Sequence, residues 1–204
     1  MHWFALADEF GLRGQLELAC LRAALELVPR LPEGSLLSVN VSGPVLLDER
    51  TLALLLEQPA LDRVIVEITE DALVQDDAGF HAALAPLVAR GVRLAVDDMG
   101  AGYSGLRQIT ALRPAYLKLD RSLVRGVDAS PDRAALIEAL LHYAGRTGGL
   151  LVAEGVETRS ELDAVRRLGV PLVQGFHYGR PGAPWPVVLP PGLALAEPLV
   201  PRAQ

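Results

Sequence analysis

Six short runs rich in β-forming residues, Leu36–Val41, Val64–Thr69, Arg93–Asp98, Tyr116–Asp120, Leu150–Glu154 and Leu172–Gly175, alternate with stretches that carry apolar residues at helical spacing. Most of the runs are apolar almost without interruption, as strands are when helices cover both faces of a parallel sheet. The helical stretches are Leu46–Gln58, Ala78–Arg90, a short turn around Gly105–Ala111, Asp132–Arg146 and Arg159–Leu168. Gly91 follows one of them, Ser130-Pro131 opens another, and Gly148-Gly149 and Gly169 close the last two, which is ordinary helix punctuation. This repeated αβ order predicts an α/β fold, either a doubly wound sheet or a (β/α) barrel.

A chain of 204 residues that is 50% hydrophobic can build one sizeable core. Its 19 Lys+Arg against 25 Asp+Glu leave a net charge of −6, so no basic field exists to hold a long nucleic acid, and any phosphate must be bound locally. The single cysteine, Cys20, excludes an internal disulfide framework and a cysteine-rich zinc site; within the helical stretch Glu17–Glu26 it reads as core. No apolar run reaches the roughly 20 residues that span a bilayer, and the opening MHWFALADEF lacks the basic start and long apolar centre of a signal peptide. The cytoplasm is the expected compartment. After Pro181 the composition changes to GAPWPVVLPPGLALAEPLVPRAQ, whose prolines forbid continuous helix or central strand. The expected organisation is one domain over 1–181 and a Pro-rich tail over 182–204.

Acidic residues recur at one place in the αβ unit, the C-terminal end of the run. Glu67 and Glu70 end the second, Asp97 and Asp98 the third, Asp120 the fourth, and Glu154 and Glu157 the fifth, while Asn40 ends the first, Lys118 lies in the fourth and Gln174 in the sixth. In α/β folds these ends share one rim, where active sites form. Carboxylates gathered on one rim repel one another unless a counter-charge is present. Asn and carboxylates without Cys or His suit an oxygen-ligated divalent cation, Mg²⁺ or Mn²⁺.

The adjacent pair Asp97-Asp98 reaches a common site only where the strand has ended, because alternation otherwise sends neighbouring side chains to opposite faces. The loop MGAGYSG at 99–105 has the glycines of a segment that bends over a ligand, although tight turns use them too. Lys118, between Leu117 and Leu119, is an expensive burial in an apolar core but stays charged beside carboxylates. The histidines, His2, His81, His142 and His177, show no metal-ligand spacing, and Arg166-Arg167 reads as a solvated helix face.

Taken together, SVNVS (38–42), VEITE (66–70), VDDMGAGYSGL (96–106), LKLDRSLV (117–124), VAEGVET (152–158) and QGFHYGRP (174–181) resemble, in order, the blocks of the EAL domain of bacterial cyclic-di-GMP phosphodiesterases. FALADEFGL (4–12) resembles the stretch leading into the family's first long helix, so the resemblance covers about 4–181. It implies a modified TIM-like (β/α) barrel that hydrolyses cyclic di-GMP to linear pGpG with two divalent metals, Mg²⁺ or Mn²⁺. By the same resemblance Asn40, Glu67, Asp97, Asp98 and Glu154 are metal ligands. Lys118 stands near the attacking water with Asp120 as its strand neighbour, Glu70 steadies the loop after Asp98, Glu157 is the second acid of its block, and Gln174 lies at the edge of the site. A homodimer and an upstream sensory or cyclase domain are the implied partners.

The sequence departs from the family at its front. Family members begin with two further strands, the second carrying the Glu-Ala-Leu that names them, so the expected barrel is incomplete, with six strands. A literal Glu138-Ala139-Leu140 occurs inside the helical stretch Asp132–Arg146, where no strand end can aim Glu138 at a site. A truncated start, complementation by a second chain and a degenerate domain all fit. The enzyme reading is therefore paired with an expectation of weak or lost turnover. Its alternative is a cyclic-di-GMP-binding or protein-interaction module; an enolase-like barrel leaves the Asp97-Asp98-Met99-Gly100 block unexplained.

Overall fold

The computed structural model describes residues 3–69, 77–100, 109–110 and 112–184. Its contacts divide the chain into two compact units, 1–94 and 95–204, with the boundary inside a strand. Both are built from parallel strands and helices, the α/β class that the alternation of runs predicts.

The first unit contains helices α1 (Trp3–Glu9) and α2 (Arg13–Leu25), strand β1 (Leu37–Asn40), helices α3 (Gly43–Leu46) and α4 (Glu49–Leu56), strand β2 (Val64–Thr69) and helix α5 (Asp77–Ala89). Strands β1 and β2 pair in parallel from Leu37↔Val64 to Asn40↔Glu67. Val64, Val66 and Ile68 are wholly buried with Leu25, Leu46, Leu55 and Leu87, each burial contributing about 1.5–3 kcal/mol before chain entropy is counted. The helical stretch predicted over Leu46–Gln58 breaks after Leu46, the last residue of α3, and resumes as α4. Asp48 takes an extended conformation, and its side chain accepts a 2.8 Å bond from the Arg50 amide, so it ends α3 and caps α4.

Cys20 is exposed, which corrects the core assignment. The buried stripe of α2 runs through Glu17, Leu21 and Leu25. At 100° per residue, Cys20 lies about a quarter-turn or more from that stripe's centre.

The second unit holds most of strand β3 (Arg93–Met99), then β4 (Tyr116–Leu119), helices α6 (Arg121–Val124) and α7 (Pro131–Thr147), strand β5 (Leu150–Ala153), helix α8 (Arg159–Arg167) and strand β6 (Leu172–Val173). β3, β4, β5 and β6 are parallel neighbours in chain order. Every residue of β4 is buried, Lys118 included. Ser130 caps α7 and Gly148, at φ 80°, closes it; Thr158 and Glu161 form a reciprocal capping box at the start of α8. The turn around Gly105–Ala111 lies largely outside the described residues, as do Trp185 and nearly all of the Pro-rich tail.

Candidate metal centre

The backbone at the C-terminal ends of the second unit's strands forms a stair. The Asp120 amide donates to the Met99 carbonyl at 3.0 Å, the Glu154 amide to Leu119 at 3.3 Å, and the Gln174 amide to Ala153 at 2.8 Å. Each bond fixes a polar residue one step beyond the end of its strand, the location that the run-end pattern predicts.

Asp97 and Asp98 reach the site by a different route from the predicted strand ending. β3 continues through both to Met99, but its register against β4 slips: Val96 pairs with Leu117, and the next pair is Met99 with Leu119. Two residues, Asp97 and Asp98, thus oppose the single Lys118, which is a β-bulge, and Asp98 takes a left-handed φ of 57° there. The bulge breaks alternation and lets adjacent carboxylates serve one place.

Lys118 is buried, with its ammonium 2.9 Å from Asp97 Oδ1 and 2.7 Å from Glu154 Oε1. The Asp98 amide adds a 3.1 Å bond to Asp97 Oδ1. Ligand atoms of Asp97, Asp98 and Glu154 all lie within 4.8 Å of one another. The Lys118 ammonium meets two of these three carboxylates. Clustered carboxylate oxygens of this kind fit a hard divalent cation.

Asp120 accepts a 2.9 Å bond from the Ser122 amide. The Ser122 side chain, then the Ser122 and Arg121 amides, hold its carboxyl below the usual carboxylate range against the upward push of burial. Glu157 pairs with Arg121 at 3.0 Å. Gln174 is exposed. Glu70 lies outside the described residues. Glu138 is exposed in the middle of α7, so the literal Glu-Ala-Leu is a surface helix segment.

In the first unit, Asn40 and Glu67 are register partners at the ends of β1 and β2. The Ser38 hydroxyl donates to Glu67 Oε1 in a short hydrogen bond. Glu17, buried on α2, accepts from the Ser42 amide and hydroxyl at 3.1 and 2.6 Å, pinning the segment just after β1.

Sequence reasoning missed Ser38, Glu17 and Glu161 as supports. Glu161 is buried and accepts from the Gly126, Glu157 and Thr158 amides at 3.2, 3.1 and 3.0 Å, tying the loop after β5 to the turn after α6. Its half of that arrangement was readable as the Thr-x-x-Glu spacing at 158–161. Glu17 meets a partner 25 residues away, for which no local pattern exists.

Residues 2–181 match the EAL domain, and the chain belongs to that family. The bifunctional diguanylate cyclase/cyclic di-GMP phosphodiesterase MucR of Pseudomonas aeruginosa is 37% identical over 67% of this chain, and the probable cyclic di-GMP phosphodiesterase PdeG of Escherichia coli is 31% identical over 86%. The chain spans 20% of the first protein's length and 36% of the second's. Klebsiella pneumoniae BlrP1, solved with cyclic di-GMP and manganese, superposes with a TM-score of 0.78 at 31% identity over 83% of this chain and 45% of its own; its calcium complex gives 0.77. The fold is therefore that of an incomplete TIM-like barrel of the EAL type. Among the described residues, no helix is long and apolar enough to cross a membrane.

Proposed function

We propose that this chain is the cyclic-di-GMP phosphodiesterase module of a bacterial signalling protein, opening the cyclic dinucleotide to linear pGpG by metal-dependent hydrolysis, and that these 204 residues acting alone turn over weakly. The observation that carries the reading is the Lys118 ammonium seated between Asp97 and Glu154 with Asp98 beside them. In the reaction a water oxygen bonds to phosphorus, one P–O ester bond breaks, and a proton passes to the departing sugar oxygen. Lys118 holds the water and offsets negative charge growing on the phosphoryl oxygens, while Asp97 and Glu154 keep it charged and aimed.

Asn40, Glu67, Asp97, Asp98 and Glu154 are the ligands on this reading, and Mg²⁺ or Mn²⁺ bound there supplies charge neutralisation and a more acidic water. Asp120 and Gln174 border the substrate, and Glu70 and Glu157 support the loops. The domain occupies 1–181, with 182–204 as its tail. It works in the cytoplasm as a homodimer, joined to a sensory or cyclase domain; the small share that it spans of its multidomain relatives supports that last point.

A second reading, a binding module that does not hydrolyse, is favoured by one observation: the literal Glu138-Ala139-Leu140 is helical, with Glu138 exposed, and supplies no ligand. Chromatography of cyclic di-GMP incubated with this chain in Mn²⁺, Mg²⁺ or EDTA separates the two. Slow formation of pGpG that needs the metal and disappears in Lys118→Ala is the expected result. Binding of cyclic di-GMP without any product selects the module, and turnover in EDTA contradicts both.

A further inference from the structure

In the same unit as the metal centre, α6, the turn after it and the first turn of α7 line an open cavity of about 720 Å³ formed by Asp120, Arg121, Ser122, Arg125, Gly126 and Arg133. Three arginines and Asp120 line it, with Glu157 on Arg121 and Glu161 on the Gly126 amide.

Neither Arg125 nor Arg133 has a carboxylate partner among the described residues. Arg121 is shared with Glu157 at 3.0 Å. Asp120 is occupied by the Ser122 amide. Arg133 donates to the Arg125 carbonyl in a short hydrogen bond, a neutral acceptor that fixes the side chain without cancelling its charge. The Arg125 guanidinium makes no hydrogen bond or ion pair among the described residues.

Gly126 sits at φ 69°, a left-handed conformation that glycine adopts without strain. The Gly126 amide is in turn held by the buried Glu161 carboxylate at 3.2 Å. Two guanidinium groups at that turn are suited to bidentate grip of a phosphate and to stacking on a planar base. The volume falls in the range of small-molecule sites and far exceeds what a bare phosphate fills.

We propose that the Arg121–Arg125–Arg133 cavity is a binding site for a nucleotide bearing a phosphomonoester, separate from the metal centre and independent of whether the chain hydrolyses cyclic di-GMP. The dianionic monoester engages Arg125 and Arg133, and the base lies along the remaining wall.

The test is isothermal titration of the whole chain in EDTA, which removes divalent cations from the metal centre, with guanosine 5′-monophosphate, guanosine and inorganic phosphate as probes at low ionic strength. The monophosphate binds, inorganic phosphate binds more weakly, and guanosine does not. Arg125→Ala weakens the monophosphate about tenfold, the loss of one hydrogen-bonded charge, and Arg133→Ala does likewise. The Arg125 guanidinium holds no other described group by hydrogen bond or ion pair, so Arg125→Ala leaves the polar contacts of the turn in place. Undiminished binding in both variants overturns the proposal, and so does guanosine binding as tightly as its monophosphate. Inorganic phosphate matching the nucleotide, or no binding of the monophosphate in the millimolar range, also overturns it. Hydrolysis measured with Mn²⁺ reports on the metal centre alone, so failure of one reading leaves the other standing.

Discussion

Lys118 Nζ lies 2.9 Å from Asp97 and 2.7 Å from Glu154, so one buried ammonium on β4 joins carboxylates from the strands on either side of its own. Removing that charge leaves two partly buried carboxylates facing each other. Lys118→Met is expected to destabilise the chain in EDTA by about 3–5 kcal/mol. Added Mn²⁺ recovers part of the loss, because the cation replaces the missing positive charge. Urea unfolding with and without the metal checks both statements, and a variant as stable as the wild type in EDTA contradicts them.

Asp98 adopts φ 57°, a left-handed conformation that asparagine and aspartate tolerate better than most residues. Asp98→Asn keeps that tolerance while removing one of three clustered carboxylates. Its stability in EDTA is expected to equal or exceed that of the wild type, and its Mn²⁺ affinity to fall about tenfold or more, since a ligand charge is lost. Calorimetry reads both; unchanged Mn²⁺ affinity contradicts the assignment of Asp98.

The fate of the Asp97-Asp98 pair illustrates what was legible beforehand. That both carboxylates serve one place followed from the run-end pattern, as did Lys118 and Glu154, because strand ends in parallel sheets share a rim. The bulge that brings the pair together did not follow, since register depends on β4, some twenty residues further along the chain. Caps at Ser130 and Thr158 were readable from neighbouring residues, whereas Asp48 was read through as helix because the apolar spacing continues on both sides of it. Cys20 reads as core because its own character is apolar, whereas the helix turns it away from the stripe through Leu21 and Leu25.

Glu161 is expected to make stability depend on acid. Burial pushes its carboxyl up, but the Glu157, Thr158 and Gly126 amides and the Thr158 hydroxyl together hold it below the ordinary glutamate value. A carboxyl depressed in the folded state stabilises fully above its unfolded value, and that contribution is lost as pH falls through the folded one. Glu161→Ala should therefore cost about 1–3 kcal/mol at neutral pH and flatten the acid limb of stability below about pH 4.5. Chemical denaturation across pH 3–7 measures this. An acid limb identical in wild type and variant contradicts it.

Two glycines should respond in opposite directions. At Gly175 a Cβ would overlap the backbone carbonyl and amide of Val156, which cannot move away as a flexible side chain could, so Gly175→Ala is expected to destabilise by about 2 kcal/mol or more. Gly145, exposed within α7, has nothing within 4 Å of such a Cβ, and Gly145→Ala should stabilise by about 0.5–1 kcal/mol through helix propensity. Thermal melts of the two variants side by side check the pair; equal shifts in one direction contradict the packing described at Gly175.

The central claim is that Asp97, Asp98 and Glu154 hold a divalent cation, and anomalous diffraction at the manganese edge from crystals grown with Mn²⁺ tests it most directly. The account predicts a peak about 2 Å from carboxylate oxygens of all three residues, absent from crystals of Glu154→Gln. Manganese bound only elsewhere on the molecule, or no peak at this cluster under saturating Mn²⁺, would contradict it.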